Sequence, residues 1–297
     1  MNWIVDSIIA TLGGGFYVSF LKLGQDHYES DSLVTFALFG SFLYYFLTKN
    51  HANIIKDFNL MAFLSGISFG LTAYFISKAF QLVNNPGVPS SIVRSQVLLT
   101  YFVSLFLFNE KFSWKTFFPI LIIIFGCLIT IYPELINFDP KNMTWIFFTI
   151  LAGICTTGND ISSKLSLNEI SNDQFLVIQM LGATLTNIFI QYGEKKTFGL
   201  KKLKKEKKNS KILAFNKYPT LLLAIIIISL IIFREFLGSA MSKTKNPAYP
   251  RAIFNSQFIV SLLISLVIQK KSSITLIEGI GSAVITIGVI LTSLIKR

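Results

Sequence analysis

The chain has 297 residues, 52% hydrophobic and only 14% charged, with a net charge of +12 and a mean hydropathy of +0.60. A soluble domain carries about 25% charged residues, so this composition excludes an ordinary water-soluble globule and points to an all-α, polytopic membrane protein. The positive charge is not a nucleic-acid footprint, because ten of the 27 Lys and Arg crowd into one stretch from Glu194 to Lys217.

A hydrocarbon core about 30 Å thick needs about 20 apolar residues per helix. Runs of that kind are expected near 3–22, 32–47, 60–82, 88–108, 114–132, 144–166, 174–192, 219–241, 250–269 and 274–294. The first has Asp6 where a secretory signal would have Lys or Arg, so it reads as a retained helix; it also carries Tyr17. The third holds Tyr74 and the string Gly66-Ile67-Ser68-Phe69-Gly70. That string has the hydrolase G-x-S-x-G spacing, but it lies in an apolar helix without a nearby histidine, so it reads as a small-residue packing face.

The fourth run opens with Pro86 and Pro89 and contains Arg94 and Gln96; the sixth contains Asp160 and Lys164 at i,i+4, the spacing of an intrahelical ion pair. The eighth holds Arg234 and Glu235, and the ninth opens with Pro247 and Pro250 and contains Asn255 and Gln257. Ionisable residues inside apolar helices are costly and therefore functional candidates. Cys127 and Cys155 sit alone in apolar runs and read as packing residues. The sequence has no metal-ligand spacing and no pairing of nucleophile and base, so we expect no metal, no cofactor and no enzyme activity.

The chain repeats itself. Asn85-Pro86-Gly87-Val88-Pro89-Ser90-Ser91-Ile92-Val93-Arg94-Ser95-Gln96 returns as Asn246-Pro247-Ala248-Tyr249-Pro250-Arg251-Ala252-Ile253-Phe254-Asn255-Ser256-Gln257, with six of twelve positions identical at an offset of 161. Earlier positions match at an offset of 142: Trp3 with Trp145, Ile8 with Ile150, Lys22 with Lys164, Asp31 with Asp173 and Gly40 with Gly182. The offsets differ by 161 − 142 = 19 residues, which places an insertion in the lysine-rich stretch at about 194–217. Two repeats of five helices follow, over 1–137 and 138–297. Five is odd, so the second repeat enters the membrane inverted. The lysine-rich stretch itself reads as a solvated insertion, with contact to anionic lipid headgroups as the alternative.

The end of the fourth run and start of the fifth read Phe108-Asn109-Glu110-Lys111-Phe112-Ser113-Trp114, and the fifth ends Phe125-Gly126-Cys127-Leu128-Ile129-Thr130, echoed by Ile287-Gly288-Val289-Ile290-Leu291-Thr292 in the tenth. With the five-plus-five duplication and the length, this resembles the drug/metabolite transporter superfamily in its ten-helix EamA-type form. The second repeat departs from the pattern, with Gln269-Lys270-Lys271-Ser272 where Glu110 stands in the first. The resemblance implies a central cavity lined by the first, third, fourth, sixth, eighth and ninth helices, alternating access, metabolite export or exchange, and cytosolic termini. Charge alone leaves the orientation open, since counting the lysine-rich stretch reverses the positive-inside balance.

The sequence thus leads us to expect a secondary transporter of a small organic metabolite, proton-coupled or an exchanger, working as a monomer or homodimer among membrane lipids. A non-transporting receptor or scaffold is the alternative, and a membrane-embedded enzyme a weaker one. Candidate substrate contacts are Arg94, Gln96, Arg234, Glu235, Asn255, Gln257, Tyr17 and Tyr74; candidate proton carriers are Asp160 and Glu235. The excess of cationic side chains leans toward an anionic or zwitterionic substrate. Single-cysteine labelling in sealed vesicles tests the inverted arrangement: residues 50–58 and 195–217 should react from opposite faces. Reaction of both from one face would rule it out.

Overall fold

The computed structural model describes residues 2–25, 27–49, 58–82, 87–136, 144–194, 219–257, 259–261, 263–264 and 276–294. Among them the chain is all-helical, without a β-strand. The helices are α1 (Trp3–Gly24), α2 (Ser30–Thr48), α3 (Leu60–Leu82), α4 (Gly87–Arg94), α5 (Gln96–Leu107), α6 (Trp114–Ile136), α7 (Thr144–Leu167), α8 (Asn172–Gly193), α9 (Pro219–Ser242), α10 (Ala248–Phe254) and α11 (Leu276–Ser293). Further helical residues follow α10 from Gln257. The stretches 195–217 and 269–272, and most of 50–58, lie outside the described residues.

The boundaries have local causes. The Asn2 side chain accepts from the Ile4 amide at 3.3 Å and starts α1. Ser171 and Gln174 form a reciprocal capping box at the start of α8. After α5 the chain stops because Asn109 turns left-handed, with φ of 50°, and the Glu110 amide closes back on the Leu105 carbonyl at 3.1 Å.

Five helices, α1, α2, α3, α8 and α9, are long and apolar enough to cross a bilayer, and shorter apolar stretches cover Ile92–Leu107, Trp114–Ile129 and Gly279–Thr292. The outer surface exposes large apolar side chains, including Phe106 at 81% and Phe189 at 70%. Such a surface suits lipid rather than water. The fold is compatible with an integral membrane protein.

The fourth and ninth runs, expected as single helices, are each broken. The break after α4 falls at Ser95, and the break after α10 at Asn255 and Ser256. The cause is the same in both. The Ser95 hydroxyl and the Ser256 hydroxyl each donate at 2.7 Å to the carbonyl three residues back, Ile92 and Ile253 respectively. Each serine amide also bonds that carbonyl, at 3.1 and 3.0 Å, in a tight 3₁₀ turn. The Leu98 and Ile259 amides then pick up the two serine carbonyls at 3.1 and 2.9 Å. A hydroxyl competing for helix carbonyls bends the helix.

Helix pairings recur with roles exchanged. α1 packs on α9 and on α10; α7 packs on α3 and on α4; α2 packs on α9, and α8 on α3; α6 packs on α11. Lys49, just beyond α2, reaches Asp173 at the start of α8 and Glu235 of α9, both at 2.9 Å. Glu194, at the far end of α8, meets Lys78 of α3 at 3.4 Å. The residues flanking 50–58 and 195–217 therefore sit at opposite ends of α8, whose 22 residues span about 33 Å.

Small residues set the closest crossings. The Gly66–Gly70 string, expected as a packing face, lies against α8: a Cβ on Gly70 would stand 2.8 Å from the Ala183 carbonyl, and one on Gly182 2.8 Å from the Phe63 carbonyl. Gly126 and Gly288 play the same part between α6 and α11, where added carbons would stand 2.8 Å from the Ile285 amide and 2.9 Å from the Ile123 amide. Gly66→Val should force α3 from α8 and destabilise the protein by about 1–3 kcal/mol or more. Gly193→Ala, at a position with open space around it, should be silent. Melting of the detergent-purified variants checks both.

Candidate functional site

A cavity of about 780 Å3 of empty space, part of it open, lies in the middle of the helices. α1 supplies Tyr17, Val18 and Leu21; α3 supplies Phe69, Thr72, Ala73, Ile76 and Phe80. Ser90, Val93 and Arg94 come from α4, Gln96 from α5, and Thr156 and Asn159 from α7. Phe233 comes from α9, Arg251 and Phe254 from α10, and Asn255 and Gln257 from the break beyond it. Both serine bends thus lie at the cavity wall.

Buried acid holds the wall together. Asp160 of α7 is 0% exposed, and Arg251 of α10 grips it with two bonds: Nε donates to Oδ2 at 2.7 Å, and Nη2 donates to Oδ1. Gln96 Nε2 donates to Oδ2 at 3.4 Å, and Asn159 Nδ2 to Oδ1 at 3.3 Å. A buried ion pair repays its desolvation only with such fork geometry and added bonds. Gln96 Oε1 also accepts from the Thr100 hydroxyl of its own helix at 2.6 Å and is tied to α7 by the Thr157 hydroxyl at 3.1 Å.

A second buried cation stands behind the aromatic side. Arg234 of α9 donates to the Gln179 side-chain oxygen from both Nε, at 3.1 Å, and Nη2. Gln179 donates in turn to Asn159 Oδ1 at 2.9 Å and Ser65 Oγ at 2.5 Å. One hydrogen-bonded chain therefore runs Arg234–Gln179–Asn159–Asp160–Arg251 across α9, α8, α7 and α10. The Arg234 guanidinium lies 4.5 Å from the centre of the Phe69 ring and 5.3 Å from that of Phe233, and the Arg251 guanidinium 5.1 Å from Phe254. Phe233 and Phe254 stack at 4.5 Å, with Tyr17 tilted onto Phe233 at 6.5 Å.

Of the candidate substrate contacts, Tyr17, Arg94, Gln96, Asn255 and Gln257 come together in this cavity. Asn255 Nδ2 donates to the Arg94 carbonyl at 3.0 Å, joining two positions related by the offset of 161. Arg234 stands one layer back. Glu235 is elsewhere: it points to Lys49 at the end of α2, which also holds Asp173. Burial there works against the Lys49 ammonium, but its bonds to Glu235 and Asp173 outweigh burial and raise its pKa above the usual lysine value. Tyr74 is also elsewhere, its hydroxyl on Glu194 in a cluster with Lys78 and Asp31.

One sequence expectation needs correction, and one cavity residue was missed. The i,i+4 pairing of Asp160 with Lys164 gives way to Asp160 with Arg251, because the Arg fork offers two aligned bonds from an opposing helix. Arg251, not singled out in the sequence, is a buried cavity residue at 4% exposure. Its repeat position is Ser90, which also lines the cavity, and that shared position was the signal available. Among the described residues no group of three or more His, Cys, Asp or Glu gathers as a metal site.

No protein-family model and no curated protein matches the chain. One solved structure, described only as a crystal structure of a protein, is similar over 99% of this chain and 98% of its own, with a TM-score of 0.68 and 14% identity. At that identity the likeness concerns the fold alone.

Asp160→Ala should leave Arg251 as a buried, unpaired charge and cost about 3–5 kcal/mol. Pairing Asp160→Asn with Arg251→Gln removes both charges and should recover much of that loss. Melting temperatures of the single and double variants measure the difference.

Proposed function

We propose that this protein is a secondary transporter of a small organic metabolite, built as ten membrane helices in two inverted five-helix repeats and working by alternating access. The observation that carries the reading is the cavity lining. It draws on α1, α3, α4 with α5, α7, α9 and α10, the counterparts of the six helices that the EamA-type resemblance implies. The exchanged helix pairings support the inverted repeat, because contacts of the first 137 residues reappear in the remainder with partners swapped. The twin serine bends support motion, since interrupted helices at matching positions of two repeats mark transporter binding sites.

Alternating access needs one closed end and one open end. Phe80, near the end of α3, and Ser90, near the start of α4, line the cavity, and we take that as its open end. At the other end several polar contacts join the two repeats. Lys243 donates to Asp6 at 2.5 Å, Asn246 to Glu110 at 2.8 Å and Asn59 to Glu169 at 2.7 Å. Opening that end would break these contacts together.

The test is flux. Proteoliposomes loaded with a mixed pool of organic acids, amino acids, nucleotide sugars and amines should lose at least one compound faster than protein-free vesicles, read by mass spectrometry. Arg94→Gln should slow that loss roughly tenfold or more, while Arg94→Lys should keep part of it, because a cation remains in the cavity. No protein-dependent loss of any compound from correctly inserted protein would refute transport and leave the receptor or scaffold reading.

A further inference from the structure

The charges beside the cavity do not balance. Arg234, Arg251 and Asp160 form one connected cluster, with exposures of 2%, 4% and 0%. Arg251 is neutralised by Asp160, whereas the hydrogen-bond acceptor for Arg234 is the neutral Gln179 amide. The cluster therefore carries one net positive charge away from water, where an uncompensated charge is costly. A bound organic anion would offset that charge. Arg94, on the same cavity, adds charge of the same sign.

The geometry shows where the anion would sit. A guanidinium has five N–H donors in a plane. Asp160 accepts from two of those on Arg251 and sits behind it, while Arg251 itself faces the cavity. Donors remain on Arg251 for a second acid group. Next to them stand Phe254 and Phe233, stacked at 4.5 Å and 12°, and Phe69, edge-on to Phe233 at 6.3 Å.

The rings also exclude a class of ligand. An aromatic face attracts cations through its negative quadrupole. Here that capacity is already used, by Arg234 against Phe69 and Phe233 and by Arg251 against Phe254. The guanidiniums against these rings, rather than the rings, set the sign of the field, so the cavity disfavours an organic cation and favours an anionic group.

We propose that the cavity binds an organic anion with a flat, apolar or aromatic body, its acid group on Arg251 and its body against Phe233, Phe254 and Phe69. This rests on the cavity being the ligand site of the proposed transporter. The test is equilibrium binding to the full-length protein in detergent, by calorimetry and by shift in melting temperature at fixed pH and ionic strength. The probes are benzoate, benzylamine and acetate. Benzoate should bind and stabilise. Benzylamine, with the same ring and opposite charge, should bind at least roughly tenfold more weakly, and acetate, which lacks the ring, should be weaker than benzoate.

Arg251→Gln should weaken benzoate by roughly ten- to a hundredfold. Should that variant fail to fold, Phe254→Leu, which keeps every charge, should still weaken benzoate more than it weakens acetate. Benzylamine binding as tightly as benzoate, no benzoate binding, or benzoate binding indifferent to Phe254→Leu and to any folded Arg251→Gln protein would each overturn the proposal. Benzoate binding without flux of any compound would sink the transport reading and leave this site standing. Flux of amines with no benzoate binding would do the reverse.

Discussion

The buried pair of Asp160 and Arg251 is the constraint around which the centre of the molecule is arranged. α7 packs on α3, α4, α5 and α9, whereas α10 packs on α1, α5, α9 and α11. The Arg251 side chain reaches between these two groups, and its fork fixes its own rotamer and that of the acid. The Arg251 guanidinium lies over Phe254, and Phe254 stacks on Phe233. One ion pair thereby sets the aromatic wall. On the other side of Asp160, the bonds through Asn159 and Gln179 carry the same constraint to Arg234. In a low-dielectric interior such a network holds its shape only when its members are satisfied. The network is therefore rigid where it is complete and sensitive to any new charge beside it.

The helices were legible because a long apolar run leaves a simple trace, whereas their ends, at Asn2, Ser171 and Asn109, came from the structure. What hydropathy could not show were the two breaks, since serine is common in membrane helices and only its bond to Ile92 or Ile253 reveals the bend. Yet the duplicated Ser-Gln pairs at 95–96 and 256–257 marked the place.

The site was legible in its membership and less so in its pairings. Arg94, Gln96, Asn255 and Gln257 were visible as polar residues in apolar runs. The partner of Asp160 was not, because it lies 91 residues away and local spacing offered Lys164 instead. Glu235 and Tyr74 lie away from the cavity for one reason. Both lie within helices, but toward the end where side chains from α2 or α8 reach them, and sequence depth does not register that reach.

The contact between Asp6 and Lys243 has a consequence for resting populations. Its repeat-related positions are Phe148 and Leu82, which cannot form an ion pair. On the alternating-access reading proposed above, this contact belongs to one conformation and has no mirror in the other. Lys243 is 38% exposed, so the pair is worth at most about 1 kcal/mol, a tilt of roughly fivefold between the two states. On that reading, a difference of that size taken by itself would leave both conformations populated. Together with the Asn246–Glu110 and Asn59–Glu169 contacts at the same end, it would give the empty protein a preferred side to face. The preference would fade as salt screens that lysine, so the same molecule would wait differently in different ionic surroundings.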